Sequence, residues 1–453
     1  MDVLDTTPTQ ETTRGKEKRY SAYKASNVAW LGEIPSHWEL LKGKRLFKQM
    51  KRPVRDSDEV VTAFRDGIVT LRINRRTEGF TNSMLEIGYQ GIRKGDLIIH
   101  AMDAFAGAIG VSDSDGKGTP VYAVCTPINS ANPYYYAQIL RFMAHSGYIL
   151  SLARGIRERS TDFRFAEFGD LELPVPPPEE QNAIVAFLDR KLAEIDRFIA
   201  KKERFIQLLK EQKAAIINRA VTRGLDPDMP MKPSGVEWLG EIPAHWETKK
   251  LGLICNRIVD GPHFSPNYVD SGVMFISARN IKTDRWSLED AKYISPEDYQ
   301  EFCKRVVPKI GDVLYTKGGT TGIARVVDLK IPFNVWVHVA VLKIKRQLAD
   351  SYFVAHALNS NACYQQSQLY TRGATNKDLG LTRMANIVMP WPPLGEQHEI
   401  VSFIDKQANV ISNAITKAER EIELIKEYRT TLISDVVTGK IDVRRASEEK
   451  TLV

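Results

Sequence analysis

Apolar residues recur at alternating three- and four-residue steps in two long segments of the chain. The first segment follows Pro-Pro-Pro-Glu-Glu-Gln at residues 176–181 and continues to Thr222. The second follows Pro-Pro-Leu-Gly-Glu-Gln at residues 392–397 and continues to Thr438. A proline cluster suits the start of a helix, and acidic residues in the first turn complement the helix dipole. The pattern therefore predicts two long helices.

The apolar stripe of each predicted helix has the 3.5-residue repeat of a coiled coil, with charged residues between the apolar positions. Neither stripe has a partner nearby in the sequence. This favours pairing of the two helices with each other over packing of each on its own domain. At about 1.5 Å per residue, the stripe would make a rod on the order of 45–50 Å long. The residues predicted to form this coiled coil are Leu188, Leu192, Ile195, Ile199, Ile404, Ile411, Ile415 and Ile422.

The two helices belong to an internal repeat with a shift of about 216 residues, whereas solenoid repeats run to roughly 20–50 residues. A segment at residues 30–39, Trp-Leu-Gly-Glu-Ile-Pro-Ser-His-Trp-Glu, returns at residues 238–247 with one substitution. Tryptophan, glycine and proline in a short non-periodic segment indicate an ordered loop anchored by buried indoles. Because the two copies are nearly identical, we interpret them as structural and not as base-stacking surfaces. The chain therefore looks like a duplicated half-molecule.

Between the repeated landmarks, short apolar runs alternate with turn signals and predict strands of a mixed or antiparallel sheet. The predicted strands include residues 67–71, 95–99 and 120–124. A helix is predicted over residues 134–152. The second half repeats this plan with a strand over residues 335–344 and a helix over residues 352–369. The predicted fold class is α+β, with two globular mixed α/β domains related by duplication.

The composition favours a multidomain globular protein and argues against a membrane-spanning or disulfide-rich one. With 453 residues and 43% apolar content, the chain is long enough for two or three domains with real cores. No apolar run has the length of a membrane span, the N-terminus is polar, and the four cysteines lack metal or disulfide spacing. We therefore expect a cytoplasmic protein. The net charge of +7 points only weakly to nucleic acid.

The densest basic group contains Arg72, Asn74, Arg75 and Arg76. Arginine and asparagine can bond base edges bidentately, and arginine also binds phosphate. A solvated strand edge would explain the same residues, so both interpretations stay open.

Polar loops that begin with Arg-Gly precede each long helix, at residues 154–162 and 372–378. Their recurrence favours close approach to a phosphodiester backbone. Residues 261–264 and the Gly/Thr-rich segment 317–322 are further loop candidates with weaker support. The residues of these loops that we predict to bind DNA are Arg154, Arg157, Arg159, Lys317, Arg372, Asn376 and Lys377.

We find no active site and no metal site in the sequence. Residues 132–135, Asn-Pro-Tyr-Tyr, resemble the Asn-Pro-Pro-Tyr motif of amino-methyltransferases but lack its second proline and a suitable cofactor loop. Residues 318–322 lack the lysine of a phosphate-binding P-loop. The acidic cluster around Glu297 has no metal-nuclease spacing. We therefore predict a protein that is not an enzyme.

Taken together, three paired features resemble the specificity (S) subunits of type I restriction-modification systems. They are the Trp-Leu-Gly-Glu-Ile-Pro…His-Trp segments, the Gly-Asp-hydrophobic strands that begin at Gly95 and Gly311, and the Pro-Pro-x-x-Glu-Gln helix openings with their coiled-coil tails. The resemblance covers about residues 23–443 in the order of the family. It implies two target-recognition domains, each binding one half of a bipartite DNA site, held apart by an antiparallel coiled-coil spacer.

The resemblance also implies partners and cofactors. The partners are two adenine-N6 methyltransferase subunits that use S-adenosylmethionine, and restriction subunits that use ATP and Mg. No cofactor is expected in this chain. We add the hypothesis that the length of the two helices sets the gap between the half-sites.

The implied domain layout follows the repeat. It consists of a mobile leader (residues 1–20), target-recognition domain 1 (21–175), a central spacer helix (176–225), target-recognition domain 2 (226–391), a C-terminal spacer helix (392–443) and a tail (444–453). The implied function is a sequence-specific DNA-binding subunit that directs the methyltransferase and restriction subunits. Two alternatives stay open: a self-sufficient DNA-modifying enzyme, and a coiled-coil scaffold that does not recognise sequence.

Overall fold

The computed structural model describes residues 19–75, 87–152, 162–264, 266–373 and 377–444. The chain divides into two compact units. The first contains the chain up to Lys202 and from Arg420 onward, and the second contains Glu203–Glu419. Each unit therefore holds one globular part and one stretch of each long helix.

The elements up to the first long helix alternate short strands with short helices. They are β1 (Tyr23–Ala25), β2 (Glu33–Pro35), β3 (Glu39–Lys42), α1 (Gly43–Leu46), β4 (Phe47–Met50), β5 (Val61–Ala63), β6 (Val69–Leu71), β7 (Gln90–Ile92), β8 (Leu97–His100), β9 (Ile109–Val111), β10 (Gly116–Gly118), β11 (Tyr122–Pro127), α2 (Pro133–His145), α3 (Tyr148–Leu152), α4 (Phe165–Asp170), β12 (Glu172–Val175) and α5 (Pro178–Arg223).

The elements after α5 repeat this plan with additions. They are β13 (Met231–Pro233), β14 (Glu241–Pro243), β15 (Glu247–Lys250), α6 (Leu251–Ile254), β16 (Cys255–Asp260), β17 (Tyr268–Val269), β18 (Val273–Ile276), β19 (Lys292–Ile294), α7 (Pro296–Cys303), β20 (Val313–Thr316), β21 (Ala324–Val326), β22 (Phe333–Val335), β23 (Val339–Ile344), α8 (Ser351–Leu358), α9 (Asn361–Tyr370), α10 (Leu381–Met384), β24 (Val388–Trp391) and α11 (Leu394–Val437).

Both units are built on an antiparallel four-stranded sheet. Its order is β4-β11-β8-β9 in the first unit and β16-β23-β20-β21 in the second. The apolar run in β8 buries Leu97 and Ile99 in one core with Ile139 of α2, which explains why a continuous apolar run and a helical stripe occur close together in the sequence. The predicted α+β class with duplicated globular parts is confirmed.

The second unit carries a further sheet in the order β17-β19-β18-β22, in which β18 and β22 are parallel. Phe275, Ile294 and Phe302 form a small separate core beneath it. Within the described residues, the first unit has no equivalent four-stranded sheet. The two globular parts thus share one sheet and differ in what is added to it.

The two helices predicted after the strands are each broken, so the prediction of single helices was wrong. Residues 134–152 form α2 and α3, separated at Gly147, whose φ of +78° ends a helix readily because glycine has no Cβ. Residues 352–369 form α8 and α9. The Ser360 hydroxyl starts α9 by accepting a hydrogen bond from the Cys363 amide at 3.4 Å.

The strand predicted over residues 335–344 is also interrupted. It forms the end of β22 and the whole of β23, with Trp336 and His338 in the connection between them.

The long helices run antiparallel where they pack against each other. In the first unit, Asp196 pairs with Arg429 at 2.6 Å and Lys202 pairs with Glu421 at 2.5 Å, so a later residue of α5 faces an earlier residue of α11. Beneath these pairs, Leu188 shares a buried core with Leu432. Because ion pairs that remain in contact with solvent contribute little, the apolar stripe is the main source of helix-pair stability.

In the second unit, Ala220 and Val221 of α5 share a core with Ile400 and Ile404 of α11. Of the residues predicted to form the coiled coil, Leu188, Ile195, Ile404, Ile411 and Ile422 are buried, and Leu192, Ile199 and Ile415 are half-buried. No helix in the described part of the chain combines the length and apolar content that a membrane crossing requires.

Candidate nucleic-acid interface

The Glu-Gln pair that opens each long helix fastens the helix to its globular part. In the first unit, Glu180 is 4% exposed and accepts hydrogen bonds from Trp38 Nε1 at 3.1 Å and from the Tyr20 hydroxyl, and His37 Nε2 lies 2.9 Å away. Burial and the bond to Glu180 raise the pKa of Tyr20 above its ordinary value, so its hydroxyl remains a donor.

The neighbouring glutamine joins the helix start to α2. Gln181 donates to the Pro176 carbonyl at 2.8 Å and accepts from the Asn132 amide at 2.8 Å. Asn132 in turn caps α2 by accepting from the Tyr134 amide at 2.9 Å. The Glu180-Gln181 pair therefore fixes the orientation of α5 relative to α2 in the same unit.

The same arrangement recurs in the second unit. Glu396 accepts from Trp246 Nε1 at 3.0 Å and lies 2.9 Å from His245 Nε2. Gln397 donates to the Pro392 carbonyl at 2.9 Å and accepts from the Asp350 amide at 2.9 Å. The Trp, His, Glu and Gln residues that repeat in both units thus bind each other or the backbone within their own unit. The loops that differ between the units remain as the candidate binding surface.

Three loops that the sequence singled out converge in the second unit. The Lys317 carbonyl accepts from the Leu379 amide at 2.7 Å, and the Gly319 amide donates to the Lys377 carbonyl at 3.2 Å, which joins residues 317–322 to residues 372–378. Lys317 Nζ lies 3.4 Å from Asp260, at the end of the strand that precedes residues 261–264. Loops that are far apart in sequence thus form one surface.

A buried charge network holds these loops together. Asp260 is paired with Arg305, with Lys317 and, at 3.1 Å, with His263, and Lys317 also lies 3.0 Å from Asp378. Burial opposes ionisation of Asp260, but Arg305, Lys317 and His263 outweigh it and keep the pKa of the carboxyl below its ordinary value. The Asp260 carboxylate is therefore the ionic partner that ties the loops to the sheet.

The DNA-binding residues predicted in these loops occupy different environments. Arg372 and Lys377 are exposed on the loop surface. The Lys317 side chain is 8% exposed and engaged by two carboxylates, so the geometry gives it a supporting position below the surface. Asn376 lies outside the described residues.

A cleft of about 370 Å³ opens beside the loops. Its walls include Arg279 and Lys292 from the additional sheet region, Trp336 and His338 from the connection before β23, and Thr320 from the glycine-rich loop. Sequence analysis missed these residues, apart from the loop that contains Thr320. The only local signal was an aromatic and a histidine between two strands, which is too weak to identify a site.

The surroundings of His338 disfavour the charged form of its imidazole. Partial burial, and then the charge of Lys317, lower the pKa of its imidazole. The ring lies edge-on to Trp336, with 4.7 Å between ring centroids. A neutral imidazole offers one hydrogen-bond donor and one acceptor, which suits contact with a base edge.

In the first unit, Arg72 and Asn74 lie in a short 3₁₀ turn after β6, and Arg75 follows it. Arg75 pairs with Asp66 at 2.7 Å and stacks over the Phe64 ring at 4.6 Å. Asn74 donates to the Thr70 hydroxyl at 2.8 Å. Predicted residues Arg76, Arg154, Arg157 and Arg159 lie outside the described residues.

Comparison with known proteins gives consistent matches. A family model described as the type I restriction modification DNA specificity domain matches residues 243–424. The chain is 24% identical over 446 residues to the putative type I restriction enzyme MjaX specificity subunit of Methanocaldococcus jannaschii, an alignment that covers 91% of this chain and 96% of that protein.

Two other relatives align over shorter stretches. The MjaVIII specificity subunit of the same organism is 25% identical over 283 residues, covering 61% of this chain and 64% of that protein. The chain thus spans just under two thirds of this relative. The EcoBI specificity subunit of Escherichia coli is 24% identical over 291 residues, covering 63% of this chain and 61% of that protein.

Two solved structures share the fold. One comes from a study of complex assembly and conformational transition of the type I R-M system. It has a TM-score of 0.65 at 15% identity and covers 90% of this chain and 99% of its own. The other is the HsdS subunit from Thermoanaerobacter tengcongensis, with a TM-score of 0.50 at 17% identity, covering 90% of this chain and 98% of that one.

Proposed function

Since the chain belongs to the family of type I restriction-modification specificity subunits, we propose that it is the subunit that recognises the DNA sequence in such a complex. In this proposal each globular part binds one half of a bipartite duplex site. The chain directs methyltransferase and restriction subunits to that site and is itself not catalytic.

The observation that carries the proposal is the contrast between shared and divergent parts. The contacts of Glu180 and Glu396 repeat in both units, whereas the loops and the additional sheet differ. Two domains that recognise different sequences need a common framework and different surfaces. A pure scaffold would not need loops gathered beside a cleft with basic and aromatic walls.

The proposal extends to partners and cofactors. We expect two adenine-N6 methyltransferase subunits that use S-adenosylmethionine and restriction subunits that use ATP and Mg, with neither cofactor bound by this chain. A cytoplasmic location agrees with this role.

Modification-sensitive long-read sequencing tests the proposal. DNA would be taken from cells that lack other adenine methylation and that express the chain together with its methyltransferase partner subunit. The expected result is one bipartite motif methylated at adenine on both strands. Cells with the methyltransferase alone are the control and should show no motif.

Each other outcome contradicts a defined part of the proposal. A contiguous motif would overturn two-domain recognition. Methylation by the chain without its partner would favour a self-sufficient enzyme. Absence of any motif in cells where the complex assembles would favour a scaffold.

A further inference from the structure

The cleft in the second unit has two basic side chains on its rim that lack acidic partners. Arg279 and Lys292 are both exposed, and neither forms an ion pair within the described parts of the chain. Nearby basic residues are paired: Lys304 with Glu301 at 2.5 Å, and Arg305 with Asp260. The two rim residues therefore remain available for an external anion, and DNA supplies a closely spaced row of them.

The back wall of the cleft is supported by apolar packing. Trp336 packs against the small core of Phe275, Ile294 and Phe302, and it supports the His338 ring edge-on. A side chain that is fixed before binding loses little entropy on contact, which favours discrimination between ligands.

The glycine-rich loop closes against this wall. A Cβ at Gly318 would overlap the His338 ring, so only glycine lets the loop backbone approach it. The Gly318 amide also donates to the His338 carbonyl at 3.3 Å. Thr320, two residues on, is exposed at the mouth of the cleft.

The support for this loop is specific to the second unit. Lys317, which precedes Gly318, is held by Asp260 and Asp378. The corresponding residue in the first unit is Ala101, whose carbonyl accepts from the Phe163 amide at 3.0 Å just as that of Lys317 accepts from Leu379. Alanine cannot form these ion pairs, so the second unit holds this loop with ionic contacts that the residue at the corresponding position of the first unit cannot make.

We propose that the cleft formed by Arg279, Lys292, Thr320, Trp336 and His338 determines the sequence of one half-site of duplex DNA. Arg279 and Lys292 bind backbone phosphates at the rim. Trp336 and His338 contact base edges from the back wall, and Lys317 acts as a positioning residue. This inference rests on the proposed function and adds the residues that carry it.

The first test measures binding of a duplex containing the methylated motif to the complex of the full chain with its methyltransferase. Arg279→Ala and Lys292→Ala are expected to raise Kd about ten-fold, and each to lower the slope of log Kd against log salt by about one. Arg257→Ala and Lys330→Ala are matched controls, because both side chains are exposed, neither lines the cleft, and neither forms an ion pair within the described residues. Equal effects of rim and control variants would overturn the phosphate role.

The second test repeats the methylation sequencing with Trp336→Leu and His338→Gln. The expected result is a relaxed or altered sequence in one half of the motif, with the other half unchanged. A single base-edge contact is worth roughly five- to 150-fold in discrimination. Gly318→Ala should have a similar effect, because the added Cβ displaces His338.

The outcomes of the two tests distinguish failure of the role assigned to the cleft from failure of the proposed function. If the wild-type chain yields a bipartite motif and all back-wall variants keep both halves unchanged, the cleft is not a recognition site and the proposed function stands. If the wild-type chain yields no motif, both fail. A change in both halves would also overturn the assignment of the cleft to one half-site.

Discussion

At the scale of single residues, one carboxylate per unit accepts a hydrogen bond from the buried indole of its unit and also lies beside an exposed histidine. Glu180 serves Trp38, the Tyr20 hydroxyl and His37, whereas Glu396 serves Trp246 and His245. Glu396 is also more exposed, at 24% of its side chain against 4% for Glu180. The duplicated residue therefore has unequal importance in its two positions.

We expect Glu180→Ala to lower the free energy of unfolding by about 3 kcal/mol, and Glu396→Ala by about 1–2 kcal/mol, because a buried donor without a partner costs about 1–3 kcal/mol. Urea unfolding of the full chain followed by tryptophan fluorescence would measure both. Glu179→Ala is the control, since Glu179 is exposed in the same first turn and should change stability by less than about 0.5 kcal/mol. Equal losses for Glu180 and Glu396 would contradict the structural argument.

At the scale of elements, both long helices end in the same way, although their end sequences differ. Gly224 follows α5 with a φ of +75°, and Gly439 follows α11 with a φ of +77°. Each glycine lies against the buried indole of its own unit, Gly224 against Trp246 and Gly439 against Trp38. A left-handed residue at this position closes the helix and turns the chain.

Alanine at the two positions should have unequal effects. A Cβ at Gly439 would lie 2.5 Å from Pro35 and 2.8 Å from Trp38, whereas at Gly224 the nearest atom, on Trp246, is 3.4 Å away. Both variants bear the left-handed strain of about 1 kcal/mol, and Gly439→Ala adds an overpacking cost of about 1–3 kcal/mol. Thermal unfolding of the two variants should rank Gly439→Ala as the less stable. The reverse order would contradict the contacts at these helix ends.

At the scale of the whole molecule, the two copies of the duplication share the same framework but differ at their surfaces. The strand order of the main sheet is the same in both units, but only the second carries the β17-β19-β18-β22 sheet within the described residues. The long helices contribute buried residues to the core of each unit. Changes in loops and additions can therefore alter a binding surface without disturbing the framework.

The hypothesis that helix length sets the gap between half-sites can be tested by deleting one heptad from both α5 and α11. A heptad keeps the apolar stripe in phase and shortens each helix by about 10.5 Å, close to the rise of about three base pairs. We expect the methylated motif to keep both half-sites and to lose about three unread base pairs. An unchanged gap in an active complex would refute the hypothesis. Deleting three residues from each helix is the control, because it rotates the stripe out of phase and should abolish assembly.

The sequence alone determined the duplication, the two long helices, the main strands and the structural character of the Trp-Leu-Gly-Glu-Ile-Pro segments. These features depend on local periodicity and on direct repetition, which are visible without coordinates. The breaks at Gly147 and Ser360 were missed, because apolar spacing continues across them while one backbone angle and one cap end the helix.

Which basic residues have an ionic partner depends on the fold. From the sequence, Lys317 is predicted to be a DNA-binding residue in a loop, whereas no role is predicted for Arg279. In the fold, Asp260 and Asp378 engage Lys317 from 57 and 61 residues away, while no carboxylate among the described residues pairs with Arg279. The availability of a charge depends on its neighbours in space, and those neighbours come from segments that the sequence keeps far apart.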